Sequence, residues 1–172
     1  MRAISLFVLL FFFGINSFAQ KMSGLGAELS VLSLKPNFRI WTSKTTGFEL
    51  FTGLSSELNS FKPNDAEAGF KFLQTIIYNR TDRTYFGVVG KWKWINVYGN
   101  EDNTSLPVAG LLIGKEWYSK RINLKGFAVE LGYQYGVKEY SALNSNGISP
   151  GKQTFEEFPL ILNFRYSFYK KR

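Results

Sequence analysis

Large apolar side chains alternate with glycine and charge along this chain, and that two-residue rhythm limits its possible folds more than any other feature. Phe127, Val129, Leu131, Tyr133, Tyr135 and Val137 alternate with Ala128, Glu130, Gly132, Gln134, Gly136 and Lys138. Phe158, Leu160, Leu162, Phe164, Tyr166 and Phe168 alternate with Pro159, Ile161, Asn163, Arg165 and Ser167. Successive side chains of a strand leave opposite faces, so each segment is a strand with one greasy wall and one mostly polar wall. A soluble sheet fills its polar wall with solvated Lys, Glu and Thr. Here that wall carries Gly110, Gly114, Gly132 and Gly136 between charges, a composition suited to a narrow, crowded interior. The expected arrangement is inverted: grease outward and polarity inward, as in a β-barrel that spans a membrane.

Strand-like stretches separated by turn residues run to the end of the chain, without a linker or a fixed repeat, and predict an all-β, eight-stranded antiparallel up-and-down transmembrane barrel. The strands are expected at residues 24–32, 37–43, 48–57, 68–79, 85–97, 107–118, 127–138 and 155–169. The fourth has an ambiguous phase, because Phe70, Phe72 and Ile76 compete with Leu73 and Ile77 for the apolar wall, as a bulge would produce. Connections at 44–47, 80–84 and 119–126 are short, whereas those at 58–67, 98–106 and 141–154 are longer and rich in Asn, Gly, Pro and Ser. The first hairpin, near residues 34–36, is short although it falls on the long-loop side. Short turns at one end and long loops at the other are the habit of outer-membrane barrels.

The fifth strand decides which wall meets lipid. Phe86, Val88, Gly90, Trp92 and Trp94 share one wall, and Lys91 and Lys93 lie on the other. A lysine facing hydrocarbon at mid-depth costs ~2–4 kcal/mol, so the lysines belong inside or near an interface. Trp92, Trp94, Trp117, Tyr166 and Phe168 fall toward strand ends on the apolar wall, where interfacial girdles are built. The interior then inherits Glu28, Arg39, Glu49, Lys91, Lys93, Glu116, Glu130 and Arg165. These are expected to pair into a structural polar plug, since an eight-stranded barrel is just wide enough to be filled by its own side chains. A wide aqueous pore is not expected. Period two alone does not say which wall is inside, so the alternative is a soluble, lipocalin-like periplasmic barrel binding a hydrophobic ligand.

Residues 1–19 have the form of a signal peptide: Arg2, an apolar run from 4 to 13 broken only by Ser5, then Ser17 and Ala19 before Gln20. That run is too short for a membrane-spanning helix. Residues 20–172 are then one barrel domain. The chain has no Cys and no His, which removes disulfides, Cys-His and Ser-His-Asp catalysis, and Cys/His zinc sites. No enzyme signature, cofactor or metal motif is present; Asn100, Glu101, Asp102 and Asn103 offer oxygen ligands, but their spacing matches no calcium loop. The formal net charge is +8, yet its distribution argues against nucleic acid. Lys44, Arg80, Arg83, Lys120, Arg121, Lys125, Lys170, Lys171 and Arg172 gather at the short-turn end, either as solvated turn residues or as contacts to anionic lipid head groups.

With a leader, alternating strands and an aromatic closing strand in hand, the chain resembles the small outer-membrane β-barrel family of Gram-negative bacteria, of the eight-stranded OmpA/OmpX-like type. The resemblance spans the whole mature chain and rests on pattern rather than on a sharp motif. It implies outer-membrane lipids as surroundings and insertion by the barrel assembly machinery, which reads a C-terminal aromatic strand; Phe164, Tyr166 and Phe168 fit that signal. Lys170, Lys171 and Arg172 after the aromatics depart from the family's usual ending. No surface partner is implied.

Overall fold

The structure, a computed structural model, describes residues 22–31, 33–56, 63–95, 104–119, 124–142 and 151–171. Ten strands follow in chain order: β1 (Met22–Ser30), β2 (Ser33–Trp41), β3 (Thr46–Ser56), β4 (Pro63–Tyr78), β5 (Asp82–Ile95), β6 (Thr104–Ser119), β7 (Leu124–Tyr135), β8 (Val137–Ala142), β9 (Gly151–Glu156) and β10 (Leu160–Lys171). Eight of them close a barrel in the order β1-β2-β3-β4-β5-β6-β7-β10, and β10 pairs antiparallel with β1 from Met22↔Lys171 to Ser30↔Asn163. Closure leaves no unpaired edge, which suits a chain that has no disulfide to staple it.

The all-β, eight-stranded antiparallel expectation therefore holds, with shifted boundaries. β1 and β2 start earlier than the alternation suggested, so Leu34 and Pro36 lie in a strand. β4 begins at Pro63 rather than at residue 68. The stretch 141–154, expected as a loop, contributes strand residues at both ends, in β8 and β9. This ribbon keeps the register of β7 and β10: Tyr133 pairs with Leu160, and Val137 pairs with Glu156. Between them Glu157 N donates to Gly136 O at 2.9 Å and Gln134 N donates to Pro159 O at 2.8 Å. Pro159 has no N–H to give, so the ladder breaks there and one long hairpin becomes two pairs of strands. Residues 1–21, with the expected leader, and residues 57–62, 96–103 and 143–150 lie outside the described residues.

The ambiguous phase of the fourth strand has a geometric cause. The β4–β5 register shifts between Thr75 and Ile77, a bulge that lets Ile76 and Ile77 both face outward while Leu73 stays buried inside.

Candidate functional site

Side-chain orientation places the chemistry. Leu131, Leu160 and Phe164 are 50%, 50% and 43% exposed, whereas Glu130 and Arg165 are 0% and 1% exposed. The oily rows look away from the barrel axis and the ionised rows look at one another. Glu28, Arg39, Glu49, Lys91, Lys93, Glu116, Glu130 and Arg165 are all buried inside, in two clusters at different heights.

The middle of the barrel is organised around Lys71. Its Nζ contacts Glu28, lies 3.0 Å from Glu49 Oε1 and donates to Glu130 Oε2 at 2.6 Å. Glu28, Glu49 and Glu130 converge closely enough to hold a metal ion, but the Lys71 ammonium already sits against all three. Arg39 reaches across the same space: Nε donates to Glu49 Oε2 at 2.5 Å, Nη2 to Glu130 Oε1 at 2.6 Å and Nη1 to Tyr85 Oη at 2.9 Å. Tyr85 Oη donates to Glu130 Oε1 at 2.7 Å, and Asn163 Nδ2 donates to Glu130 Oε2 at 3.2 Å. Toward the short-turn end Glu116 accepts from Arg165, from Tyr118 Oη at 2.8 Å and from Trp41 Nε1 at 3.2 Å.

Lys91 and Lys93 take partners other than those four carboxylates, at the long-loop end. Lys91 Nζ donates to Glu67 Oε2 at 3.0 Å and to Glu157 Oε1 at 2.7 Å; Lys93 Nζ lies 3.2 Å from Asp65 Oδ2 and 3.3 Å from Glu157 Oε2. Lys35 ties the two networks together, 3.3 Å from both Glu28 and Glu67. Among the described residues the buried cations Lys35, Arg39, Lys71, Arg83, Lys91, Lys93 and Arg165 are matched in number by the carboxylates of Glu28, Glu49, Asp65, Glu67, Glu116, Glu130 and Glu157. In a low-dielectric interior such neutrality is what keeps every charge affordable.

Lys71, Lys35, Asp65, Glu67, Glu157 and Arg83 are the interior charges that sequence reasoning missed. Lys71 shares a strand with the bulge, and continuing its alternation from Leu73 alone would have found it. Arg83, expected on the basic short-turn rim, is instead buried, its guanidinium carbon 3.7 Å from the centre of the Trp41 ring and 4.9 Å from that of Tyr78. A cation held against two aromatic faces at a barrel mouth gains quadrupole attraction, and among the described residues no carboxylate pairs with it. Of the other expected rim residues, Lys44, Arg80, Lys125 and Lys170 are exposed.

The interior is full. Tyr85 lies so close to Gly114 that a Cβ there would sit 2.6 Å from its ring, and Tyr169 crowds Gly126 to 2.7 Å. Glycine on the inner wall is thus the space into which the central aromatics fit. Leu73, Val89, Leu112 and Ile161 join them inside. A cavity of about 30 Å³ remains near the long-loop end, lined in part by Lys35, Lys91, Lys93 and Glu157, room for a water or two. A lipocalin-like interior would instead offer an apolar chamber for its ligand, and no such chamber opens among the described residues. The calcium-type oxygens of Asn100 to Asn103 lie outside those residues.

The outer wall is apolar between two sets of aromatics. Trp92 and Trp94 project outward near the long-loop end; Trp117, Tyr166 and Phe168 project outward near the short-turn end. Trp117 stacks on Phe127 at 6.1 Å, and Tyr166 meets Phe168 edge-on at 5.2 Å. Trp117 lies opposite Asp82, ten residues along β5 from Trp92. At ~3.3 Å per residue and a tilt of ~40°, that is about 25 Å of height, the thickness of a lipid-facing apolar band. Lys115 faces outward within this interval, but its ammonium reaches to 5.5 Å from the Trp117 ring and 4.0 Å from Asp82 Oδ1, toward the short-turn rim. In this way the lysine stem lies along the apolar wall while its charge is carried toward the rim.

No protein-family model matches the chain, and no curated protein matches it. Solved structures do. The N-terminal β-barrel domain of Pseudomonas aeruginosa OprF aligns with a TM-score of 0.57 at 10% sequence identity, covering 88% of this chain and 97% of that one. Neisserial surface protein A (NspA) aligns more loosely, with a TM-score of 0.44 at 11% identity over 87% and 94%. At such identities the likeness concerns fold, and the closed eight-stranded antiparallel barrel is the fold this chain shares with the OprF domain.

Proposed function

We propose that the chain is an integral outer-membrane β-barrel of non-enzymatic character, serving envelope structure or surface interaction, with at most limited passage of small solutes. One observation carries the reading: an outward apolar wall bounded by aromatics toward both ends, around an interior of paired charge. In water that arrangement would expose Leu25, Leu50, Leu111, Leu131 and their neighbours together, an apolar surface far beyond the few hundred Å² a soluble monomer tolerates. In a bilayer the same surface is solvated by acyl chains. Export through the leader at residues 1–19 and insertion by the barrel assembly machinery belong to this reading, with Phe164, Tyr166 and Phe168 as the closing-strand signal. The small free volume of the lumen argues for little conductance.

Cell fractionation tests it. The protein is expected in the detergent-extracted outer-membrane fraction, running faster on a gel before boiling than after, as closed barrels do. Recovery in the soluble periplasmic fraction without that heat-dependent shift would refute it.

A further inference from the structure

Two open recesses lie side by side on the outer wall. Phe168 on β10, Leu25 on β1, Phe38 on β2 and Leu50 on β3 form a single cross-strand row of outward side chains. The outward neighbours of that row on β1 are small, Ser23 on one side and Ala27 on the other; on β2 Pro36 stands beside Ala27 and Ile40 beside Ser23. On β5 and β6 Phe86, Val88, Leu111 and Ile113 fill the wall at mid-height, and the small outward pair Gly90 and Ala109 lies nearer the long-loop end. The small residues on β1 leave the two recesses, which meet at Leu25 and Phe38. One, of about 390 Å³, is bounded by Ser23, Phe168 and Lys170; the other, of about 360 Å³, by Pro36, Leu50 and Thr52. Both are open grooves in the wall rather than closed cavities.

Charge sits at one lip only. Lys170 edges the first recess, and Lys125, opposite Phe168 across the β7–β10 pair, has its ammonium 5.8 Å from the Phe168 ring. Both lysines are exposed, and among the described residues no carboxylate lies within ion-pair distance of either. They lie at the short-turn end, level with the aromatics Trp117, Tyr166 and Phe168, where lipid head groups meet a barrel.

We propose that this pair of recesses seats one anionic phospholipid of the leaflet at the short-turn end, its phosphate held by Lys125 and Lys170. An acyl chain entering beside Lys170 runs through the first recess, past the Leu25–Phe38 ridge and into the second. The proposal rests on the membrane reading and adds a defined site with head-group preference.

Wild-type barrel is reconstituted in nanodiscs of phosphatidylethanolamine with a minority of phosphatidylglycerol, then released for native mass spectrometry. One phosphatidylglycerol is expected to stay bound in preference to phosphatidylethanolamine. Lys125→Gln combined with Lys170→Gln should reduce that preference about tenfold or more, since each lysine near an anionic surface adds roughly a tenfold factor or somewhat less. Ser23→Phe, which fills the first recess, should lower retention of both lipids. Equal retention of the two lipids by wild type and the lysine variant overturns the proposal, as does release of a second copy of the chain instead of lipid. Heat-dependent gel mobility is read on the same samples. A barrel that inserts yet shows no preference defeats this site alone, whereas one that fails to insert defeats the membrane reading beneath it.

Discussion

Replacing Glu130 with Leu is expected to destabilise the barrel by about 3–5 kcal/mol, the cost of breaking a buried ion pair by removing one partner. Glu130 is the hub of the middle network, accepting from Arg39, Lys71, Tyr85 and Asn163. Leucine removes the acceptor and leaves four donors with one fewer place to point. Lys71 keeps Glu28 and Glu49, and Arg39 keeps Glu49, so the geometry survives while the interior carries an excess positive charge. Combining Glu130→Leu with Lys71→Met restores neutrality, and the double variant should be less unstable than the sum of its parts. Urea unfolding of the reconstituted barrel, followed by intrinsic fluorescence, measures both. An unchanged midpoint for Glu130→Leu would mean that the hub contributes nothing to stability.

The second large effect belongs to the opposite wall. Leu111 is exposed on β6, opposite Val88 and about midway between the two sets of aromatics. Leu111→Arg should cost about 2–4 kcal/mol in a bilayer, the penalty for Arg on the lipid face at mid-depth. Thr46→Arg, a change on the same outward wall at the short-turn end of β3, where Thr46 is half-buried, should cost no more than about 1 kcal/mol because the charge reaches the interface. Depth dependence separates a lipid-facing surface from a merely apolar one. Equal costs at the two positions, read from unfolding in vesicles of one lipid, would contradict it.

The sequence exposed the fold through one physical regularity, because period-two alternation survives wherever a wall is uniform. Phe127 to Val137 and Phe164 to Phe168 needed nothing else. Where the wall is broken, the reading blurred. The Thr75–Ile77 bulge set two isoleucines on one side, masked the phase of β4, and hid Lys71, the cation at the centre of the interior. Lys35, Asp65 and Glu67 were lost for a simpler reason: their strands extend into stretches rich in Pro and Asn that read as turns. The pairing was also beyond reach. That Lys91 and Lys93 would choose Asp65, Glu67 and Glu157 over Glu28, Glu49, Glu116 and Glu130 depends on height within the barrel, which follows from strand register and tilt rather than from residue type. Arg83 lies against Trp41 because both end up at the same mouth from different strands, a proximity that local sequence does not encode.

The chain has no native cysteine, so single cysteines at Leu111, Leu131 and Leu160 can each carry a spin label without competition. In vesicles all three labels should be relaxed strongly by oxygen, which concentrates in hydrocarbon, and weakly by a water-soluble nickel chelate. A label on exposed Lys44, in the β2–β3 turn, should show the reverse. Strong relaxation of all three wall positions by the nickel chelate would mean that the oily rows face water, and the account of this protein as a barrel turned outward to lipid would be wrong.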